Sequence, residues 1–175
     1  MIKGLFTSLR AIAKDDLAQL LTWRNTPELR RYFREYRELN YEQQFSWFTE
    51  KVNNDPSTRM FSIVDHEGTL IGAAGLCYID WVNRTADFSI YIGRDCLYID
   101  KHFAPDAAKA MIKYGFEELG LNRLWSEIYS FDDAKVSFFT DLGFHMDGKH
   151  RETHWAENTW HDSLFFSLLA SDTQP

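Results

Sequence analysis

The chain has few of the residues that staple, interrupt or hide a fold. Its 175 residues include two cysteines, four prolines and nine glycines. Two thiols, Cys77 and Cys96, cannot form a disulfide framework or a four-thiolate zinc site, and a chain of this length needs no covalent staple. Without a Pro/Gly/Ser-rich stretch there is no linker, so a single domain over 1–175 is expected. No apolar run approaches the roughly 18 residues of a membrane span. The opening MIKGLFTSLRAIAKDD gains charge within a few residues and has no apolar signal core. A cytoplasmic protein with no membrane partner is the expectation. Basic runs are missing as well: 19 Lys+Arg stand against 26 Asp+Glu, a net charge of -7. That balance argues against nucleic acid as a partner and for a cationic one.

What the chain has in plenty is aromatic rings. Six Trp, eight Tyr and fourteen Phe make up 16% of it, enough for a dense core and a lined pocket. Residues 3–10 read as a strand, and Asp15 or Asp16 caps a helix in which Leu17, Leu20 and Leu21 recur at helical spacing. Thr26-Pro27 marks a fresh helical start. Asn40 with Gln43 forms a capping box, opening a long helix with Phe45, Phe48 and Val52 on its buried stripe. Strands at 59–65, 69–80 and 85–92 follow as an antiparallel meander. A helix over 105–119, a strand over 123–129, a helix over 132–142 and two strands near 144–150 and 160–168 complete an α/β (α+β) order.

The stretches IGAAGLCYIDWVNRTADFSIYIG and AAKAMIKYGFEELGLNRLWSEIYSFDDAKVSFFTDLGF, with LRAIAKDDLAQLLTWRNTPELRRYF before them and WHDSLFFSLL after, resemble the GNAT superfamily of N-acyltransferases. The likeness is strongest to its ribosomal-protein, spermidine and amino-sugar-nucleotide acetyltransferase branch. The resemblance implies a mixed, mostly antiparallel sheet, helices on both faces, and a splay between the fourth and fifth strands that takes the pantetheine arm of acetyl-CoA. It implies acetyl-CoA as co-substrate and a small-molecule amine acceptor, an amino-sugar nucleotide or a polyamine, with a homodimer as a further option.

In the family the loop before the main helix offers backbone N–H groups to the CoA pyrophosphate. Here that loop is Ile99 to Asp106, from which Lys101, His102, Phe103 and Ala104 are the cofactor-binding candidates. The loop is degenerate. Ile99 replaces the family Arg or Gln, Asp100 and His102 stand on glycine positions, and only Ala104 keeps a small residue. Asp132 stands for the family asparagine that contacts pantetheine, and Phe139 for the tyrosine proposed to protonate the departing thiolate. Phe139 has no proton to give, which leaves Tyr129, His145, a water or an unprotonated thiolate, whose pKa of about 8.5 makes it a tolerable leaving group.

The reaction implied is attack of an amine on the thioester, with the carbonyl oxygen held by an amide of Ile90, Tyr91 or Ile92. An amine of pKa about 10.4 is neutral only once in roughly 10³ molecules at pH 7, so a base is needed. Asp87 matches the position of a strand glutamate that some family members use through a water, and alternation puts it on one face with Ser89 and Tyr91. The alternative for Asp87 is a pairing with Arg84. Trp23, Arg24, Tyr32, Phe33, Tyr36 and Arg37 would form the acceptor wall by family analogy. Arg24, Arg30, Arg31, Arg34 and Arg37 either meet a phosphate-bearing acceptor or decorate a solvated helix face. His150, His154 and His161 with Asp162 lack the spacing of a metal site, and no metal is expected. Cys96 offers an acyl-cysteine route; the plainer reading makes both thiols spectators. Two other functions stay open: a degenerate binding or assembly module, and acetylation of a protein N-terminus.

Overall fold

The computed structural model describes residues 1–173. Its strands are β1 (Ile2–Lys3), β2 (Thr7–Ala11), β3 (Arg59–Asp65), β4 (Leu70–Asp80), β5 (Thr85–Ile92), β6 (Arg123–Tyr129), β7 (His145–Ala156) and β8 (Thr159–Leu169). They form one sheet in the order β1-β2-β3-β4-β5-β6-β8-β7. Every pairing is antiparallel except β5 with β6. The expected strand at 3–10 is broken in two, because the Leu5, Phe6 and Thr7 amides turn aside to bond the Asp106 carboxylate at 2.8, 2.9 and 2.8 Å. A Cβ on Gly4 would lie 2.3 Å from Asp106 Oδ2, so that turn leaves no room for a side chain. The expected fourth and fifth strands are therefore β5 and β6.

Helices cover both faces. On one lie α1 (Leu17–Asn25), α2 (Pro27–Arg30) and α3 (Tyr41–Trp47), with Leu17, Leu20, Trp23 and Leu29 packed against Ala73 and Tyr91 of the sheet. On the other lie α4 (Phe103–Lys113) and α5 (Asp133–Asp141), whose Ala104, Ala107, Met111, Phe138 and Phe139 join Leu76, Phe88 and Ile90 in the larger core.

The capping box forms as expected, with Asn40 N–H donating to Gln43 Oε1 and Gln43 N–H to Asn40 Oδ1, both at 2.9 Å. The stripe behind it differs. Phe45 faces outward at 38% exposure and Gln44 is the buried residue. The helix stays regular only to Trp47 and continues in wider turns to Asn53, so Phe48 and Val52 still reach the second core. α4 starts two residues before Pro105, within whose first turn a missing N–H costs no intrahelical bond. β7 and β8 are longer than their sequence ranges and meet at Glu157-Asn158, both at positive φ, the twist a two-residue hairpin turn requires. No helix among the described residues is long and apolar enough to cross a membrane.

Candidate active site

β5 and β6 pair only at Thr85–Arg123, Ala86–Leu124 and Asp87–Trp125, and beyond Asp87 they separate. Ile92 exchanges both backbone hydrogen bonds with Tyr98, at 2.7 and 2.9 Å, so its polar groups point away from β4. Alternation then turns those of Tyr91 toward Ala73 of β4, and those of Phe88 and Ile90 into the gap. Of the three candidate amides, Ile90 alone offers a donor to a ligand in the gap. The Ile92 N–H is already taken by Tyr98 and drops out. The far end of the gap is pinned: the Tyr98 hydroxyl donates to Asp132 Oδ2, while Asp132 Oδ1 caps α5 by accepting from Lys135 N–H at 3.0 Å.

A cavity of about 410 Å³ opens along this gap. It brings together eight of the sequence candidates: Asp87, Ile90, Tyr91, Tyr129, Asp132, Arg24, Tyr32 and Phe33. Asp87 is 4% exposed. It pairs not with Arg84 but with Arg34, whose Nη1 donates to Oδ2 at 2.8 Å. Burial lifts the Asp87 pKa above the ordinary carboxylate range, and the Arg34 charge offsets only part of the rise. Asp132 is raised for the same reason. Tyr129 is buried, stacked on His154 with ring centroids 3.7 Å apart, and burial raises its pKa, which keeps the hydroxyl protonated at neutral pH.

The other candidates lie elsewhere. Phe139 is fully buried among Phe88, Phe138 and Phe144, so it is a core ring and not a wall of the cavity. Trp23 stands behind Tyr91, edge-on at 6.4 Å, and occupies the space a Cβ on Gly93 would need. Tyr36 is 78% exposed. Arg37 turns to Glu35, holding its carboxyl down at about 2 through hydrogen bonds at 2.7 and 2.8 Å. His145 and Cys96 are exposed and away from the cavity lining, and burial pushes the Cys77 thiol up to about 12.

At the N-terminus of α4 the Asp100 carboxylate accepts from the amides of His102, Phe103 and Ala104 at 2.9, 2.8 and 2.8 Å. Ala104 is buried, Lys101 and His102 are exposed, and the His102 ring packs on Phe6 at 4.3 Å. The tether of acetyl-CoA fits the gap, with its free Ile90 amide. Its pyrophosphate fits the α4 terminus poorly, because a carboxylate already holds those donors.

Among the charged residues of the cavity, sequence reasoning missed Glu35, Glu127 and Lys135, and it did not connect Arg34 with Asp87. Glu127 is two residues before Tyr129 on β6, so the alternation used for Asp87 would have found it. Lys135 is one turn beyond Asp132; burial lowers its pKa, partly countered by Asp132 and Asp87. Arg34 comes from the irregular segment after α2, where no period operates. Of the arginine cluster, Arg30, Arg31, Arg34 and Arg37 each face a carboxylate. Arg24 lies over Trp47 at 5.7 Å with a buried Nε that has no partner.

Comparison with known proteins agrees with this geometry. The family model described as "Acetyltransferase (GNAT) domain" matches residues 7–145. An uncharacterized N-acetyltransferase, p20 of Bacillus licheniformis, is 26% identical over 93% of this chain and 92% of its own. Spermidine N(1)-acetyltransferase of Escherichia coli K12 is 29% identical over 81% of this chain and 74% of its own. Spermidine N-acetyltransferase from Vibrio cholerae, crystallised with CoA and spermine, superposes with a TM-score of 0.87 at 23% identity, over 95% of this chain and 96% of that one.

Proposed function

Since the chain belongs to the GNAT acetyltransferase family and is an acetyl-CoA-dependent N-acetyltransferase, we propose that its acceptor is a small polyamine, acetylated on a primary amine by direct attack in a ternary complex. The observation that carries this is Asp87, a buried carboxylate of raised pKa in the cavity that the Ile90 amide faces. Glu127 adds a second carboxylate to the same walls, which suits a cation. Relatives named spermidine N(1)-acetyltransferase support the same class.

The acceptor arrives as an ammonium and loses a proton to Asp87, directly or through a water. Its nitrogen attacks the thioester carbon, and the carbonyl oxygen takes the displaced electron pair against the Ile90 N–H. As the C–S bond breaks, the sulfur takes a proton from the Tyr129 hydroxyl. The second nitrogen proton, lost as the intermediate collapses, restores the Tyr129 hydroxyl, and Asp87 releases the first to the medium. A carboxylate of raised pKa is a stronger base than an ordinary one, so burial of Asp87 serves the step.

Arg24 favours a second reading. It lines the cavity, and its guanidinium would donate to an anionic or carbonyl oxygen, as an amino-sugar nucleotide provides. Thiol release from acetyl-CoA, measured with spermidine, 1,4-diaminobutane and a nucleotide amino sugar, separates the two. Polyamine turnover is expected to dominate. Turnover of the sugar nucleotide alone would replace the polyamine, and no release with any amine at saturating acetyl-CoA would end this reading.

A further inference from the structure

We propose that Arg34 is a built-in stand-in for the acceptor's ammonium: its guanidinium fills a cation box formed by Asp87, Glu127 and Tyr78, and the acceptor binds by displacing it. The inference rests on the polyamine reading and specifies where the cation sits. Nη1 lies 2.8 Å from Asp87 Oδ2, Nη2 lies 3.5 Å from Glu127 Oε2, and Cζ stands 5.9 Å from the Tyr78 ring. Two carboxylates and an aromatic face are the surroundings an alkylammonium prefers. The carboxylates come from opposite sides of the gap, Asp87 from β5 and Glu127 from β6, so a cation between them is beside the reacting carbon's path.

The two carboxylates are anchored in the sheet, whereas their occupant comes from outside it. Asp87 is buried in β5, and Glu127 Oε1 is held by the Ser163 hydroxyl at 2.6 Å, itself 2.6 Å from Thr153 Oγ1. Tyr78 is set by the register shift between Cys77 and Asp80, where its φ is +49°. Arg34 instead belongs to the segment between α2 and α3, which has neither regular helix nor strand, and its side chain is 42% exposed.

The physical reason for such an arrangement is charge balance. Two carboxylates kept ready for an ammonium cannot stay uncompensated in a partly buried site while the acceptor is absent. A counter-ion on a side chain that can swing aside satisfies them, and exchanging one monovalent cation for another leaves the local charge unchanged. Lys135 does not fill the box: it is on the α5 side, with Nζ 5.3 Å from the Tyr98 ring. The arrangement also filters acceptors. A neutral amine's carrier offers nothing to replace the guanidinium, whereas a diamine brings its own charge.

Steady-state thiol release by Arg34→Ala and Arg34→Gln with 1,4-diaminobutane tests this, with guanidinium chloride as the probe of the empty box. If the arm occupies the box nine-tenths of the time, its removal lowers the apparent KM for the diamine about tenfold. Millimolar guanidinium then competes with the diamine in Arg34→Ala and not in the unaltered protein. A fall in kcat with KM unchanged, restored by guanidinium, would overturn the proposal and make Arg34 a positioning residue for Asp87. Calorimetric titration of 1,4-diaminobutane, without acetyl-CoA, separates the box from the chemistry: Arg34→Gln should bind more tightly and Arg34→Lys as the parent does. Equal binding by all three overturns the proposal even if an acceptor is acetylated. Tighter binding by Arg34→Gln upholds it even if acetylation of polyamines fails.

Discussion

Two regions of this molecule have backbone donors that secondary structure leaves unused, and they are treated in opposite ways. In the gap between β5 and β6 the Ile90 amide faces a cavity and no side chain covers it. At the start of α4 the Asp100 carboxylate accepts from three amides, and one turn later Asp106 accepts from three more on the β1–β2 turn. The first region is kept open for a ligand; the second is closed by the protein's own acids. On the reading proposed above, the acyl-bearing end of acetyl-CoA would find a prepared site and its nucleotide end one whose donors are spent.

The largest test of that contrast is Asp87→Asn. Loss of general-base catalysis lowers kcat by about 10²–10⁴, while acetyl-CoA affinity, read by calorimetry, stays within about twofold of the parent's because the gap is untouched. In the parent, activity falls as pH drops through the raised pKa of Asp87, an acid limb above the ordinary carboxylate value of about 3.9; the variant lacks that limb. A structural role at the closed region appears next. In Gly4→Ala the new Cβ, built 2.3 Å from Asp106 Oδ2, forces the turn apart. A loss of about 1–3 kcal/mol by chemical denaturation is expected, with the residual KM for amine unaltered.

Asp100→Ala should move in the other direction. Freeing the α4 amides tightens CoA binding by about tenfold, or ~1.4 kcal/mol, while the weaker cap lowers stability by about 0.5–2 kcal/mol. Unchanged CoA affinity would mean the nucleotide end makes no use of the terminus. The smallest effect is on acid stability. Burial opposes ionisation of Asp106, but the Thr7 hydroxyl and the Leu5, Phe6 and Thr7 amides outweigh it and lower the pKa. A carboxyl lowered in the folded state contributes fully above its unfolded pKa near 3.9, and that contribution is lost as pH falls through the native value. Asp106→Asn should flatten the acid limb of a stability-against-pH curve below about pH 4.

The strands and the main helices were legible because a change of period and short turns bound them: β3 and β5 fall on the residues expected, Arg59–Asp65 and Thr85–Ile92. Failures came where a distant side chain decides. The first strand breaks because Asp106, some hundred residues away, captures its amides. The outward turn of Phe45 and the burial of Gln44 follow from how α3 lies on α1, which no helical period encodes. Of the candidates that line the cavity, Asp87 was reached by resemblance and alternation, Ile90 and Tyr129 by resemblance. Phe139 was placed by resemblance alone, and its fully apolar neighbours make it core. Arg34 was seen only as one of five clustered arginines, since nothing local links it to Asp87, 53 residues away.

The bond between Tyr98 and Asp132 fastens the loop after β5 to the start of α5. β5 and β6 are thus joined at both ends of their separation, by a ladder at the base and by this bond at the tip. The width of the slot, and so the passage of a thioester's tether through it, is expected to depend on this single hydroxyl–carboxylate link.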